Sequence, residues 1–175
     1  IGKSGILGFL IGRNPDPFPE KYLQKPDWLD FKPNYFHELV IFDELSRTGS
    51  GGLLWGIAGG LCIGLPPVYK WGSEAMKEKV VGPVLKGDKV ICLCVTEPTA
   101  GSDVAAVRTT AKKTPDGKHY IVNGEKKWIT NGVFADFFTV VVRTGGPGHK
   151  GLSFMLLEKN MPGITTRQMN CSGVW

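Results

Sequence analysis

The chain has 175 residues, room for one domain or two small ones, and its 42% hydrophobic and 21% charged content lies in the globular range. The 21 basic and 16 acidic residues leave a net charge of +5, a mild excess with no Lys/Arg block of the kind that binds nucleic acid, although a slightly basic surface suits an anionic ligand. No signal peptide is visible, and the apolar run at residues 53–65 is shorter than the about 20 residues a bilayer needs.

The chain starts on Ile1 rather than Met, already in an apolar pattern (Ile6, Leu7, Phe9, Leu10, Ile11) that reads as the tail of a helix or a loop edge. Gly2, Gly5, Gly8 and Gly12 weaken it. Residues 13–33 are irregular, because Pro15, Pro17, Pro19, Pro26 and Pro33 forbid a regular ladder. The aromatics Phe18, Tyr22, Trp28 and Phe31 suggest that this connection is pinned to the surface. Pro33 then serves as an early helical residue. Phe36, Leu39, Val40 and Phe42 follow at helical spacing, and Gly49 closes the segment. His37 has no second ligand nearby and reads as a surface or satisfied core residue rather than a metal or proton site. Glu38, Asp43 and Glu44 read as a solvated face, not a catalytic pair.

Residues 53–65 form a second predicted helix, apolar all round and therefore expected to be buried. Its glycines Gly56, Gly59 and Gly60 would permit close approach of a neighbour or a ligand, and Pro66-Pro67 is expected to end it. Ser73 is the N-cap of a helix over 74–85, with Lys77, Lys79 and Lys86 outward, and Gly87-Asp88 turns the chain into β-structure.

A strand is expected over Val90–Val95, broken by Pro98, Gly101 and Ser102. Thr96, Thr99, Ser102 and the loop N–H groups offer donors with little bulk, and successive free N–H groups can cup an anion. Glu97 and Asp103 bracket the loop, so a polar, heterocyclic edge with a phosphate nearby fits better than a bare phosphate. Cys92 and Cys94, two apart on this strand, share a face and do not make a zinc knuckle. With Cys62 and Cys171 they read as reduced thiols of an intracellular protein.

Further strands are expected over 107–114, 119–122, 125–129, 136–143, 152–157 and 164–169, with turns at Pro115-Asp116-Gly117 and at Gly145-Gly146-Pro147-Gly148. Asn123-Gly124 is a hairpin signal, and on the returning strand Trp128 and Thr130 would share one face. That pair is either a cross-strand aromatic with a surface threonine or the cover and donor for a flat ligand. Helices followed by antiparallel strands, without βαβ alternation, GxGxxG or P-loop, exclude a Rossmann fold.

Two segments, V-T-E-P-T-A-G-S-D at Val95–Asp103 and N-G-E-K-K-W-I-T-N at Asn123–Asn131, resemble the acyl-CoA dehydrogenase family in wording, order and spacing. The resemblance covers essentially the whole chain; Thr99, where many members have Gly, and Leu93, where some have an aromatic, are the departures. It implies an α+β chain: a partial N-terminal α-helical domain over 1–88, then the first part of an antiparallel barrel- or sandwich-like middle domain over 89–175. The family's later helical domain, which carries its carboxylate base, would lie beyond Trp175, so no residue here is expected to be catalytic. Glu97 reads as structural.

The resemblance implies FAD as cofactor and an acyl-CoA thioester oxidised to trans-2-enoyl-CoA, with hydride passing to flavin N5. Leu93, Cys94, Val95 and Thr96 would run past the pyrimidine edge of the ring, with Thr96 bonded to it. Gly101 and Ser102 would close on the pyrophosphate, and Ser102 would also touch CoA. Trp128, Ile129 and Thr130 would flank the ring, with the Thr130 hydroxyl near N5 and O4. His149 matches a CoA-contacting position or is plain loop. Donors along that edge stabilise negative charge on reduced flavin. The resemblance also implies an electron acceptor such as an electron-transfer flavoprotein and a homodimer or homotetramer, in the mitochondrial matrix, peroxisome or cytoplasm. A flavin acyl-CoA oxidase and a truncated, non-catalytic flavin- or CoA-binding protein are the alternatives.

Overall fold

The computed structural model describes residues 4–11 and 18–172; Gly2, Gly12, Pro15 and Pro17 lie outside them. Gly5, at φ 77°, turns the chain into a single 3-10 turn at Ile6–Phe9. Leu10 and Ile11 behind it are fully buried in the main core. Phe9 meets Phe18 edge-on at 5.7 Å, stacks on Trp28 at 5.8 Å and leans on Phe31 at 6.4 Å. These ring contacts pin a proline-rich connection that has no ladder of its own.

Helix α1 (Tyr35–Ser46) starts two residues after Pro33, which lies outside it instead of in its first turn, because Asn34 is the cap. Asn34 Oδ1 accepts from Phe36 N at 3.0 Å, and Asn34 N donates to His37 Nδ1 at 3.1 Å. His37 also stacks on Phe31 at 4.3 Å, so its imidazole is spent on the helix start. Phe36, Leu39 and Val40 are exposed, and no residue of α1 is fully buried.

The apolar run is longer than its sequence pattern predicts. Helix α2 (Gly51–Ala58), capped by Ser50 Oγ accepting from Leu53 N at 3.3 Å, continues through a π-helical segment (Gly59–Gly64) into α3 (Pro66–Trp71). Pro66 does not end the helix: it stands in the first turn of α3, where no N–H is needed. The Leu65 N to Gly60 O bond at 2.9 Å widens the turn before it. By length and composition this 21-residue helix could cross a bilayer. It is not buried all round, however: Leu61, Leu65 and Val68 are buried while Leu53, Trp55 and Ile63 are exposed. Its inner side lies on the sheet, where a Cβ on Gly60 would stand 2.7 Å from Ile91 O. Thr139 Oγ1 donates to Gly64 O at 2.7 Å in the same contact. Helix α4 (Glu74–Leu85) is capped by Ser73 as expected, and Gly87 (φ 78°) follows it.

The sheet is mixed rather than purely antiparallel. Strand β4 (Phe137–Arg143) is its centre, with β1 (Ile91–Cys94) parallel on one side and β5 (Leu152–Glu158) antiparallel on the other. The hairpin of β2 (Thr110–Lys113) and β3 (Tyr120–Asn123) joins β4 through the Thr110–Arg143 pair. Parallel pairing of β1 and β4 is possible because residues 95–136 supply the long crossover it needs. Residues Phe137 to Val142 are all buried: Phe137 packs with Ile91 among the helices, while Phe138, Val140 and Val142 join Cys92 and Cys94 in a second core. Helical part and sheet thus share one core along β1 and β4.

Three strand expectations change. The 107–114 strand shrinks to β2, and 164–169 and 125–129 are not strands. The hairpin closes at Pro115-Asp116-Gly117, where Asp116 Oδ1 accepts from Lys118 N at 3.1 Å and Gly117 has φ 72°. Asn123-Gly124 is therefore not a hairpin turn, and Trp128 (φ 62°) and Asn131 (φ 67°) are left-handed, so Trp128 and Thr130 do not share a strand face.

Candidate functional site

The loop after β1 is held by one carboxylate. Glu97 N donates to Ala100 O at 2.8 Å and Ala100 N to Glu97 O at 3.2 Å, closing residues 97–100 into a tight turn. The Glu97 side chain, 3% exposed, accepts from Arg108 N at 2.7 Å, Thr109 N at 2.9 Å and Lys126 Nζ at 2.8 Å. Burial opposes its ionisation, but the bond from Lys126 and those from the two backbone N–H groups outweigh burial and hold its pKa at about 2. The Thr109 hydroxyl faces the same carboxylate without well-formed hydrogen-bond geometry. A carboxylate held in this way has almost no affinity for a substrate proton near neutrality. It is a structural group, as its place in the motif suggests.

Lys126 ties a second segment to this loop. Its Nζ also donates to Val95 O at 2.9 Å, and the neighbouring Lys127 N donates to Thr96 O at 2.9 Å. Residues 124–131 thereby lie alongside residues 95–97, bonded by side chain and single backbone contacts instead of a ladder. Farther along, Asn131 Nδ2 donates to Gly56 O at 2.6 Å, and the Thr130 side chain lies against Gly59 of the π segment. Val95 and Thr96 are therefore brought beside Trp128, Ile129 and Thr130, against the glycine side of the long helix. Thr96, Ile129 and Thr130 are half-buried, while the Trp128 indole is 59% exposed with Lys127 Nζ 4.9 Å from its ring. A bulky residue in left-handed backbone is held there by its surroundings, a pattern that gathers at ligand sites.

Leu93 and Cys94 sit on opposite faces of β1. The Cys94 thiol lies in the second core, 3.7 Å from that of Cys92, so only the Cys94 backbone could reach a ligand here. The Cys92 thiol's pKa is pushed up, most by its contact with the Cys94 thiol and then by burial. Gly101 and Ser102 are exposed, and the space a Gly101 side chain would occupy holds nothing within 4 Å. The Thr96 and Thr130 hydroxyls, the exposed indole and the open space at Gly101 are the kinds of group that a flat polar ring carrying a phosphate can meet.

His149 lies apart in sequence, exposed at the start of a 3-10 turn (His149–Gly151) that ends on the buried Gly151. Arg143, at the end of β4, connects its loop to that of Ser102. Nε donates to Val107 O at 3.0 Å and Nη2 to Ala105 O at 2.7 Å, while Nη1 donates to Gly146 O at 2.5 Å and Gly148 O at 3.1 Å. Sequence reasoning missed the parts of Lys126, Asn131 and Arg143. The signal for Arg143 was a lone cation ending a strand that is apolar except for Thr139; for Lys126 it was a lysine inside a motif rich in chemistry.

Comparison with known proteins finds relatives along nearly the whole chain. Residues 30–88 match the family description "Acyl-CoA dehydrogenase, N-terminal domain" and residues 92–174 match "Acyl-CoA dehydrogenase, middle domain". The acyl-CoA dehydrogenase apdG of Emericella nidulans is 44% identical over 171 residues, covering 94% of this chain and 39% of that protein. The crystal structure of an acyl-CoA dehydrogenase complexed with FAD from Bacillus anthracis superposes with a TM-score of 0.77 at 31% identity, covering 97% of this chain and 26% of that one. Butyryl-CoA dehydrogenase from Megasphaera elsdenii gives a TM-score of 0.75 at 30% identity, covering 93% and 40%. This chain thus spans between about a quarter and two fifths of the length of these relatives, and over that span it belongs to the acyl-CoA dehydrogenase family.

Proposed function

We propose that the chain supplies the flavin-edge half of an FAD-dependent acyl-CoA dehydrogenase, which oxidises an acyl-CoA thioester to trans-2-enoyl-CoA. The observation that carries this reading is the convergence of Val95 and Thr96 with Trp128–Thr130 beside the open cradle at Gly101. Bound FAD would supply the acceptor for the substrate's β-hydride. The chain's own residues bind and orient. The Thr96 and Thr130 hydroxyls would donate to the ring edge, the Trp128 indole would lie against the ring, and the Gly101 and Ser102 N–H groups would meet the pyrophosphate. Leu93, the Cys94 backbone and Ile129 complete the wall. Ser102 and His149 face the CoA side. Glu97, locked as an anion, does not take the α-proton, and the base is assigned outside these residues only by the family resemblance. An electron-transfer flavoprotein as acceptor, a homodimer or homotetramer and an intracellular setting belong to the same reading.

Gly101→Val tests it. Because nothing in the protein lies near that position, the substitution leaves the fold intact and blocks only a ligand that approaches the backbone. In the intact gene product, FAD retention after purification is expected to weaken at least tenfold, about 1.4 kcal/mol. Full FAD occupancy in the folded variant would remove Gly101 from the site. Anaerobic addition of acyl-CoA to the unsubstituted protein is expected to bleach the oxidised flavin band. Rapid return of that band in air would select the oxidase reading, and a protein purified without flavin would overturn the assignment.

A further inference from the structure

We infer that Arg143 is a positioning residue that sets affinity for the CoA portion of the substrate, by clamping together the two loops that carry Ser102 and His149. The inference rests on the functional reading above. The guanidinium has five N–H donors in a planar fork. Four of them go to main-chain carbonyls, those of Ala105 and Val107 on one loop and those of Gly146 and Gly148 on the other. Its own N donates to Thr109 O at 2.7 Å, and Thr109 N donates in turn to Glu97, so the clamp is continuous with the anchor of the first loop. Among the described residues no carboxylate forms an ion pair with Arg143. A structural arginine that only needed charge balance would have such a partner. This one leaves its positive charge among main-chain carbonyls, between the loops that carry the exposed residues Ser102 and His149.

Neither loop has regular structure beyond short 3-10 turns, at Val104–Ala106 and His149–Gly151. Without the clamp, binding would have to order both loops, and that cost appears as lost affinity. The link from Arg143 to Thr109 is a main-chain bond that a side-chain substitution keeps, and the flavin-edge contacts lie on bonds of Lys126 and Lys127, so they stay in place. Lysine cannot replace the clamp, because a compact ammonium with three donors does not bridge four carbonyls held in a fork.

The experiment compares Arg143→Met and Arg143→Lys with the unsubstituted gene product, purified with FAD. Expected for Arg143→Met is a rise in KM for acyl-CoA of about tenfold or more, with kcat and FAD content changing less than twofold. Arg143→Lys is expected to fall between, and millimolar guanidinium ion to lower the KM of Arg143→Met. A short N-acetylcysteamine thioester, lacking the nucleotide, is expected to lose little. In amide hydrogen exchange, residues 102–107 and 145–151 are expected to speed up together in both variants. An unchanged KM in either folded variant, or equal loss of kcat and FAD, overturns the inference while leaving the functional reading. If acyl-CoA does not reduce the unsubstituted protein, that reading fails and takes this inference with it.

Discussion

Lys126→Met is expected to lower the stability of the protein by about 3–5 kcal/mol. The Lys126–Glu97 pair is 2.8 Å long, with the lysine side chain 11% exposed and the glutamate 3%. Removing the cation leaves a carboxylate desolvated with two backbone donors, and also strips the bond to Val95 O. The loss comes from the uncompensated charge more than from the pair's own attraction, so Glu97→Gln on top of Lys126→Met should recover part of it. For a chain of this size the shift in Tm is about 10 °C. A loss below about 1 kcal/mol in denaturant unfolding would show that water reaches the carboxylate. The pair also imposes a pH dependence. Glu97 has an ordinary pKa of 4.5 and is depressed to about 2 in the fold. The unfolded chain therefore takes up the proton first as pH falls. Its contribution, roughly 3 kcal/mol, is complete above pH 4.5 and is lost as pH drops from there through about 2. Glu97→Gln should lack this component of acid unfolding, and an identical acid limb would discard the assignment.

Gly124→Ala is expected to cost about 2–5 kcal/mol, from two sources that act together. Gly124 has φ 156°, a region that L side chains rarely adopt. A Cβ there would also collide with Thr109 Oγ1 and stand 2.6 Å from Thr109 Cα, which is backbone and cannot swing away. Thr109 N is one of the donors to Glu97, so the strain passes directly to the loop that carries Thr96. Gly101→Ala is the internal control: its Cβ site is open, and its stability is expected to stay within about 0.5 kcal/mol. Equal stability for the two alanine variants, measured by denaturant unfolding, would mean that residues 124–131 shift freely relative to Thr109.

Local chemistry was readable wherever a residue acts on its immediate neighbours. Ser73 caps α4 because its hydroxyl reaches Met76 N only three positions on, and Asp116-Gly117 makes the β2–β3 turn within its own tetrapeptide. The same local rules misjudged Asn123-Gly124. That dipeptide supports a positive φ, and both a hairpin turn and a close crossing of two segments need such backbone; only the position of Thr109 decides between them. The 125–129 strand failed for a related reason. Its alternation of residue types is genuine, but its backbone bonds go to Thr96 O and its lysine to Glu97, so no ladder partner remains.

By itself the sequence determined the family, through two segments whose residue types leave little freedom, and the division into helices followed by strands. That Glu97 is structural was an expectation from its place in the T-E-P motif, and the physical reason, its bonds from Arg108, Thr109 and Lys126, comes from the tertiary structure. The parallel pairing of β1 with β4 was decided by the tertiary structure alone, since partners separated by residues 95–136 leave no periodic trace in either strand. So was the exposed face of the long helix: a pattern apolar all round records which residues can be buried, while the glycine contact with Ile91 records which side is. The roles of Lys126 and Arg143 belong to the same class. A cation's identity is written in the chain, but its partners are carboxylate and carbonyl groups from segments that meet only on folding, and the physical effect depends on that meeting.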